Sequence, residues 1–385
     1  METCHTDTLE FDDEVICLGA FAEFDLRGGS DTSDRKNHTG DKFDDCDELF
    51  TSDSNTHATD YDGDEESLAD QTDVCQSPHE YTSSSDVAAV VNTQYEILKT
   101  LTPGAEGEVF VCVKHGDEQR TPVVVKAGSK GGTETEARFL RNINHRAIIN
   151  AIDAFRNGPL VCLVLPHYTH DLYTYVEERS SPLSLETAFT IQKRLLEALS
   201  YLHGRGIIHR DVKLENIFLN EPNDAVLGDL GAACKTTASP YTPQDYGWVG
   251  TLEINSPELL ALDTYCAKTD IWSAGIVLFE MLVQRVSLFG IKNPSGYSSH
   301  QLRGIIKAMQ VHPAEFPVKG NCRIVKEYGK YSEVKRKPYT VPPLIRKYTL
   351  HMDAEYLICK MLTFDQQRRP TADDLLSLSV ITHKG

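Results

Sequence analysis

The chain has 385 residues, which is enough for one large domain or two smaller ones with a substantial core. Its formal net charge is −19, and residues 1–90 hold 25 of the 57 acidic residues but 4 of the 38 basic ones. The remainder is therefore close to neutral, which argues against a non-specific nucleic-acid binder because such a protein needs a basic surface.

Three further protein classes are disfavoured. The N-terminal stretch METCHTDTLEFDDE contains neither the basic region nor the apolar core of a secretory signal. The longest apolar stretch, IWSAGIVLFEMLV, is too short to span a membrane and carries Glu280. The ten cysteines form no CxxC pair, which favours free thiols in a reducing compartment over a zinc site or a disulfide framework. We expect a soluble, intracellular protein.

The composition predicts a disordered acidic region over residues 1–92 and a folded domain over residues 93–385. The first region is rich in Asp, Ser and Thr and cannot bury enough apolar surface to offset its chain entropy. A solvating tail is the simpler interpretation. The alternative is a tail that binds partners or carries phosphate on Ser52, Ser54 or Ser67, which lie among acids.

Strands come first in the folded domain. The stretch YEILKTLTPGAEGEVFVCVKHG predicts two strands joined by a tight glycine turn, and TPVVVKAG predicts a short buried strand. In TETEARFLRNI, helical spacing places Ala137, Leu140 and Ile143 on one face. The stretch GPLVCLVLP predicts a strand that its proline ends.

Helices dominate the rest. The stretch LSLETAFTIQKRLLEALSYLHGRG predicts a long amphipathic helix that Ser184 caps and Gly204 or Gly206 ends. Two later helices are predicted from KTDIWSAGIVLFEML and TADDLLSLSV. This order predicts an α+β fold with two lobes rather than alternating βαβ units.

Glycines and a lysine in the strand region suit a phosphate ligand. Gly104 and Gly107 precede Val109 in a turn where backbone N–H groups can approach phosphates. Lys126 ends the following strand, and Glu136 on the next predicted helix can hold its ammonium by charge. Each feature alone is weak, since glycine turns and surface lysines are common.

The run HRDVKLENIFL carries more chemistry. Asp211 can accept or orient a hydroxyl proton, Lys213 can neutralise a transferring phosphate, and Asn216 offers an oxygen to a hard cation. Asp229 follows in LGDLGAAC, and an Asp oxygen together with an Asn oxygen suits magnesium. These are the groups that phosphoryl transfer needs, and Mg²⁺ is the cation that the oxygens favour.

The motifs together resemble the eukaryotic-type protein kinases from about residue 93 to the C-terminus. The glycine loop, VVVK, Glu136, HRDVKLEN, DLG, SPE, DIWSAG and RRPTADDLL stand in that family's order. The resemblance implies a small β-rich N-lobe, a large helical C-lobe, and an ATP site formed by Leu101, Thr102, Gly104, Gly107, Val109, Lys126, Glu136, Leu165, His167 and Tyr168. Lys213 together with Thr251 resembles the serine/threonine class.

The same resemblance implies three supports for the site. Glu258 is expected to pair with Arg369 inside the C-lobe, and Asp270 to brace the backbone of residues 209–211. In the family, an arginine at the position of Arg210 usually receives an activation-loop phosphate.

The sequence departs from the family's pattern at four positions. Thr102 replaces the first loop glycine, Leu230 the DFG phenylalanine and Ser256 the alanine before the next proline. Pro166 follows the gatekeeper position Leu165, so adenine contacts are expected from the backbone near His167 and Tyr168. None of these changes removes a catalytic group.

A narrower resemblance follows from LTPGAEG, HRDVKLENIF, GDLGAAC and YGWVGTLEINSPELLA. By these stretches and the acidic extension, the chain is identified as a member of the protein kinase family encoded in the unique short region of alphaherpesviruses. The resemblance implies phosphorylation of host and viral proteins, inhibition of apoptosis, remodelling of actin and help with capsid exit from the nucleus. We expect a monomer in the host cytoplasm and nucleus that binds protein substrates and no nucleic acid.

Substrate preference and activation can also be predicted. Asp171, Glu215 and Glu280 stand where arginine-directed kinases hold basic substrate residues, which predicts a preference for arginines N-terminal to the target; internal salt bridges are the alternative. Gly247 stands where the activation loop customarily has a threonine, so we expect activity without phosphorylation there. The alternative is a phosphate on Thr237, Thr242 or Tyr246 that docks on Arg210.

Two other functions fit part of the pattern. A pseudokinase scaffold would act through its fold and acidic tail, but Lys126, Asp211 and Asp229 are all present. A small-molecule kinase would not need the SPE segment and GT loop, which form a peptide platform in protein kinases. The basic run SEVKRKP suggests a nuclear signal, with a solvated loop as the simpler interpretation.

Overall fold

The structure is a computed structural model that describes residues 84–101, 107–128, 131–247, 249–284, 288–289, 298–309, 311, 343–348 and 350–382. Within these residues the strands are β1 Tyr95–Thr100, β2 Glu108–Lys114, β3 Pro122–Gly128, β4 Asp153–Asn157, β5 Leu160–Pro166, β6 His170–Asp171, β7 Ile207–Ile208, β8 Ile217–Leu219, β9 Val226–Leu227 and β10 Cys234–Lys235. The helices are α1 Ser84–Val91, α2 Gly132–Leu140, α3 Leu172–Glu177, α4 Leu185–Gly204, α5 Pro257–Leu260, α6 Lys268–Leu282, α7 Ser298–Met309, α8 Pro343–Arg346, α9 Met352–Met361, α10 Ala372–Leu376 and α11 Ser379–Thr382.

An antiparallel sheet in the order β1-β2-β3-β5-β4 forms the N-lobe, and the helices from α3 onward form most of the C-lobe. The predicted two-lobe α+β fold is confirmed. Side chains alternate along β3, so Val123 and Val125 enter one core while Val124 and Lys126 lie on the opposite face. This alternation turns Lys126 away from the outer core and toward the C-lobe segment that carries Asp229.

The apolar run predicted to be a strand is β5, and its proline ends it as expected. Cys162 and Val164 belong to the core outside the sheet, whereas Val161, Leu163 and Leu165 belong to the core that continues into the C-lobe. Burial on both faces explains why this strand is apolar throughout.

Helix α1 lies upstream of the predicted domain start at residue 93. Its Val87 and Val91 are buried in the outer core of the N-lobe together with Tyr95 and Phe155. The hydroxyl of Ser84 also donates to Glu108 Oε2 over 2.9 Å. The folded part therefore begins at least nine residues earlier than predicted, while the disorder predicted for residues 1–83 lies outside the described residues.

The long helix α4 has the predicted ends. Ser184 Oγ accepts the N–H of Thr187 over 3.1 Å, as an N-cap does, and the helix ends at Gly204. Gly206 follows with φ of 71°, and a Cβ there would lie 2.8 Å from Thr236 Oγ1. A glycine is therefore needed where the chain turns toward the functional site.

Helix α6 matches its predicted span and lies at the centre of the C-lobe. It is apolar around most of its circumference, as expected of a buried helix. Gly275 allows close packing on α9, because a Cβ there would lie 2.9 Å from Met361 Cβ. Among the described residues, helices are too short or too polar to cross a bilayer.

The remaining predicted helices differ in detail from the sequence pattern. In α2, Ala137 and Leu140 are buried as predicted, but Ile143 is buried beyond the end of the helix. The stretch TADDLLSLSV forms two short helices, α10 and α11, instead of one.

Candidate active site

Lys126 joins the two lobes through its ammonium group. Its Nζ lies 3.0 Å from Glu136 Oε2, which is the predicted pair, and 2.9 Å from Asp229 Oδ1. Lys126 pairs across the sheet with Val109 of β2 and Leu163 of β5, and this register fixes its position along the strand. The lysine thus connects strand β3, helix α2 and the segment that follows β9.

Glu136 also binds the backbone of the segment that follows β9. The side chain is 1% exposed, and its Oε1 accepts the N–H of Leu230 over 3.3 Å. Leu230 is buried in the main core at the position where a phenylalanine is customary. Helix α2 and the residues after Asp229 are therefore held in one arrangement.

Asp229 has an unusual backbone and a stable negative charge. Its φ of 55° is left-handed, and its side chain accepts the N–H of Gly231 over 3.4 Å. Burial alone would raise the pKa of Asp229, but the charge and hydrogen bond of Lys126 outweigh burial and lower it. The carboxylate is ionised at neutral pH.

Asp211 sits in a closed triangle with two predicted partners. Its Oδ1 accepts the hydroxyl of Thr251 over 2.7 Å, and its Oδ2 lies 2.8 Å from Lys213 Nζ. Lys213 Nζ also donates to Thr251 Oγ1 over 3.1 Å. A hydroxyl therefore already occupies the acceptor atom that would orient a substrate hydroxyl.

Asn216 is oriented by Asp211. Its Nδ2 donates to the Asp211 carbonyl over 2.8 Å and to Asp211 Oδ2 over 3.1 Å. This leaves the Oδ1 oxygen as the atom available to a cation. The Gly228 N–H donates to the Asn216 carbonyl over 2.9 Å, which holds the strand end before Asp229 next to Asn216. One carboxylate and one amide oxygen fit a hard divalent cation that also binds phosphate oxygens.

Asp270 braces the backbone of the loop that carries Asp211, as the resemblance implied. Its two oxygens accept the N–H groups of His209 over 2.9 Å and Arg210 over 2.8 Å. His203 Nε2 lies 2.8 Å from Asp270 Oδ2. Burial alone would raise the pKa of Asp270, but the hydrogen bond and charge of His203 lower it below the ordinary value.

The ring of His209 connects two backbones. Its Nδ1 accepts the N–H of Asp211 over 3.3 Å, and its Nε2 donates to the Gly228 carbonyl over 2.9 Å. A Cβ on Gly250 would collide with the Arg210 carbonyl oxygen, so the loop that carries Thr251 packs directly on this backbone.

The predicted pair of Glu258 and Arg369 is present and bidentate. Arg369 donates to the two carboxylate oxygens over 2.7 and 3.0 Å, and both side chains are buried. The same guanidinium also donates to the carbonyls of Thr363, Lys268 and Phe364. Paired charges and satisfied donors make this burial tolerable.

The predicted nucleotide-side residues are partly described. Leu165 is buried on β5, while His167 and Tyr168 follow it half-buried. The Leu101 N–H donates to the Val109 carbonyl over 2.8 Å. Gly107 has φ of 142°, and a Cβ there would collide with the Ala127 carbonyl oxygen. Thr102 and Gly104 lie outside the described residues.

The predicted substrate-binding residues have different surroundings. Asp171 caps α3, because its two oxygens accept the N–H and the hydroxyl of Thr174 over 2.7 and 2.9 Å. Glu215 is exposed on the short 3₁₀ turn before β8, and Glu280 is half-buried near the end of α6. Asp171 therefore makes internal contacts, although these are hydrogen bonds rather than salt bridges.

Two side chains of the site have no motif in the sequence. His203, at the end of α4, holds Asp270, and Tyr265 donates to the Gly247 carbonyl over 2.9 Å. A histidine in the last turn of a long helix and a tyrosine before the next helix are weak signals taken alone.

Comparisons with known proteins agree with this geometry. A family model described as the protein kinase domain matches residues 95–381. The Protein kinase US3 homolog of Gallid herpesvirus 2 is 50% identical over 298 residues, covering 77% of this chain and 73% of that protein. The Serine/threonine-protein kinase US3 homolog of Equine herpesvirus 1 is 46% identical over 288 residues, covering 74% of each chain. The Serine/threonine-protein kinase US3 of Human herpesvirus 1 is 43% identical over 298 residues, covering 77% of this chain and 62% of that protein.

Proposed function

Since this chain belongs to the protein kinase family, and within it to the US3-type serine/threonine kinases of alphaherpesviruses, we propose a specific division of labour among its residues. Asp211 aligns the acceptor hydroxyl, Lys213 neutralises charge on the transferring group, and Lys126 holds the nucleotide phosphates. The observation that carries this proposal is the triangle of Asp211, Lys213 and Thr251, with distances of 2.7–3.1 Å between partners.

ATP and a divalent cation, which we propose to be Mg²⁺, supply the phosphoryl group and neutralise its oxygens when bound. Asn216 Oδ1 and the Asp229 carboxylate would hold the cation. In the free chain Lys126 keeps Asp229 ionised, and Thr251 keeps Asp211 Oδ1 hydrogen-bonded. Both carboxylates are therefore held in position by donors that an acceptor hydroxyl or a cation would have to join or displace.

The first test is phosphate transfer from Mg-ATP to a serine peptide, with Asp211→Asn measured beside the native chain. We expect the variant to lose roughly 10²–10⁴-fold in kcat, the range that a positioned acid or base supplies. Binding of a fluorescent ATP analogue should be retained. Asp153→Asn, an exposed change on β4, is the matched control and should leave kcat unaltered. Native chain that binds ATP without transferring phosphate would favour a scaffold instead.

We also propose that arginines N-terminal to the target residue improve a substrate. Support comes from the exposed Glu215, which follows Lys213 by two residues and carries an acceptor for a guanidinium. Asp171 can contribute remaining lone pairs beside its capping bonds, and Glu280 lies on α6.

Glu215→Gln tests this preference with two peptides that differ only in their arginines. We expect KM for the arginine peptide to rise about tenfold, which corresponds to about 1.4 kcal/mol. KM for the arginine-free peptide should not move. Equal use of an acidic peptide and the arginine peptide by the native chain would contradict the preference.

The wider role is proposed from family resemblance alone. We propose that the kinase acts as a monomer on host and viral proteins in the cytoplasm and nucleus, inhibits apoptosis, remodels actin and aids nuclear egress. The basic run at residues 332–338 lies outside the described residues. Fractionation of infected cells, with and without an Asp211→Asn virus, would test where the kinase resides and which of these effects depend on catalysis.

A further inference from the structure

Arg210 is held by three oxygen atoms that all come from the chain itself. Its Nε donates to the Ala232 carbonyl over 2.6 Å, and one terminal nitrogen donates to the Tyr246 carbonyl over 3.0 Å and the Tyr265 hydroxyl over 3.2 Å. In kinases that need activation, this arginine commonly pairs with a phosphate on the activation loop. Here the guanidinium already has oxygen partners.

Tyr265 connects Arg210 to the activation loop, which comprises residues 235–251. Its hydroxyl accepts from Arg210 and donates to the Gly247 carbonyl over 2.9 Å. Burial raises the pKa of Tyr265 to about 12, so the hydroxyl keeps the proton that it donates. The ring packs edge-on against Tyr246, with centroids 5.5 Å apart.

The backbone of the same loop is fixed to Tyr265 at a second place. The main-chain N–H and carbonyl of Gln244 exchange hydrogen bonds with those of Tyr265, each over 3.0 Å. Between the two attachments, Asp245 Oδ1 accepts the N–H of Gly247 over 3.0 Å and closes a tight turn.

Gly247 provides the backbone shape that this arrangement requires. Its φ of 74° is left-handed, a region that glycine enters without steric cost. Its carbonyl meets Tyr265, and the preceding carbonyl of Tyr246 meets Arg210. The position that customarily carries a phosphorylated threonine therefore offers two carbonyl dipoles to the groups that a phosphate would bind.

We infer that Tyr265 and the carbonyls of Tyr246 and Gly247 replace the activation-loop phosphate, so that the kinase is active without one. Tyr265 is a positioning residue, since it acts on Asp211 and Thr251 through Arg210 and the loop. The inference rests on the proposed protein kinase function and specifies how its site is regulated.

The test uses the full chain, untreated or treated with a phosphatase that removes phosphate from Ser, Thr and Tyr, with removal checked by intact mass. Treated native enzyme should retain kcat within about twofold. A variant that cannot accept phosphate at the alternative positions, Thr237→Val with Thr242→Val and Tyr246→Phe, should also keep kcat within about threefold. The threefold limit allows for the exposed hydrogen bond between neutral groups that Thr237 Oγ1 makes to Gln244 Oε1 over 2.7 Å, which the triple variant loses.

Tyr265→Phe keeps the ring but removes the hydroxyl, and we expect it to lower kcat about tenfold while KM for ATP stays within about twofold. In the Arg210→Ala background it should cost nothing more, because the two groups act as one unit. Tyr201→Phe is the matched control, since its ring stacks on His145 and lies outside the activation loop.

Three results would overturn the inference: loss of activity after phosphatase treatment, native activity in Tyr265→Phe, or fully additive losses with Arg210→Ala. Melting temperatures of the variants separate loss of positioning from loss of folding. If untreated native enzyme transfers no phosphate, the proposed function itself fails, which is a different outcome from an enzyme that phosphatase inactivates.

Discussion

Two charged clusters of this kinase differ in how much water reaches them. In the cleft cluster of Lys126, Glu136 and Asp229, Glu136 is 1% exposed, but Lys126 is 13% and Asp229 33% exposed. The frame pair of Glu258 and Arg369 in the C-lobe is 2% and 0% exposed. In the proposed function the first cluster exchanges partners with a nucleotide and a cation, whereas the second stays buried inside the C-lobe.

The difference shows how the fold separates chemistry from support. Buried charges are costly to leave unpaired, so a sealed pair resists any change of arrangement. Asp270 is also buried, with 1% of its side chain exposed, although it contacts the loop that carries Asp211. Its oxygens bind the backbone at His209 and Arg210 rather than a reactive atom. Asp211 and Lys213 stay partly accessible at 13% and 24%, whereas Asp270 and His203, which position their loop, are buried.

The largest expected effect comes from removing one member of the frame pair. Arg369→Met leaves the Glu258 carboxylate buried and unpaired, and we expect the free energy of unfolding to fall by about 3–5 kcal/mol in urea titrations. Replacing both residues, Glu258→Leu with Arg369→Met, should cost less than the single change. Arg368→Met, at an exposed neighbour, is the control and should have little effect.

Asp270→Asn should come next and should affect catalysis more than nucleotide binding. An amide cannot accept from both the His209 and the Arg210 N–H groups, so the loop carrying Asp211 loses its alignment. We expect kcat to fall about 100-fold, which corresponds to about 2.7 kcal/mol. KM for ATP should change little, and an equal change in KM would argue against a purely supporting role.

The difference in unfolding free energy between the native chain and Asp270→Asn should also depend on pH. Because the folded pKa of Asp270 is lowered, its contribution to stability is complete above the ordinary aspartate pKa of about 3.9. That contribution is lost as the pH falls through the lowered value. The stability gap between native chain and Asp270→Asn should therefore narrow below about pH 4, as measured by urea titration at several pH values.

The smallest effect is expected in the cleft cluster, at its buried member Glu136. Glu136→Gln removes one charge from Lys126, but Asp229 remains 2.9 Å away as a second partner. We expect kcat/KM for ATP to fall about tenfold, equivalent to about 1.4 kcal/mol, without a change in melting temperature. Glu134→Gln on the same helix, where the carboxylate pairs with Arg156, is the matched control. A larger loss of unfolding free energy in Glu136→Gln than in Arg369→Met would contradict the comparison between the two clusters.

The sequence predicted the chemistry better than the surroundings of that chemistry. Lys126, Asp211 and Asp229 could be found because each stands in a fixed local motif, in a fixed order. Tyr265 could not, since it meets Arg210 across 55 residues and no spacing encodes that contact. Asp171 had a local capping signal, three residues before Thr174, which was outweighed by its alignment with arginine-binding acids.

The fold was likewise predictable where the periodicity was strong. Helices α4 and α6 are long and apolar on the faces that pack, and their spans matched. Helix α1 has eight residues beside an acidic region, and its burial depends on Tyr95 and Phe155, of which the latter is distant in the chain. A pattern read within a short window contains no information about such partners.

Helix α1 has a practical consequence for anyone who shortens this protein. A chain cut at residue 93 would keep every described catalytic motif and lose Val87 and Val91, which belong to the same outer core as Tyr95. The apolar patch left on the N-lobe would favour self-association. Such a fragment would tend to aggregate for reasons unrelated to its active site. A cut before residue 84 would keep helix α1 and avoid the exposed patch.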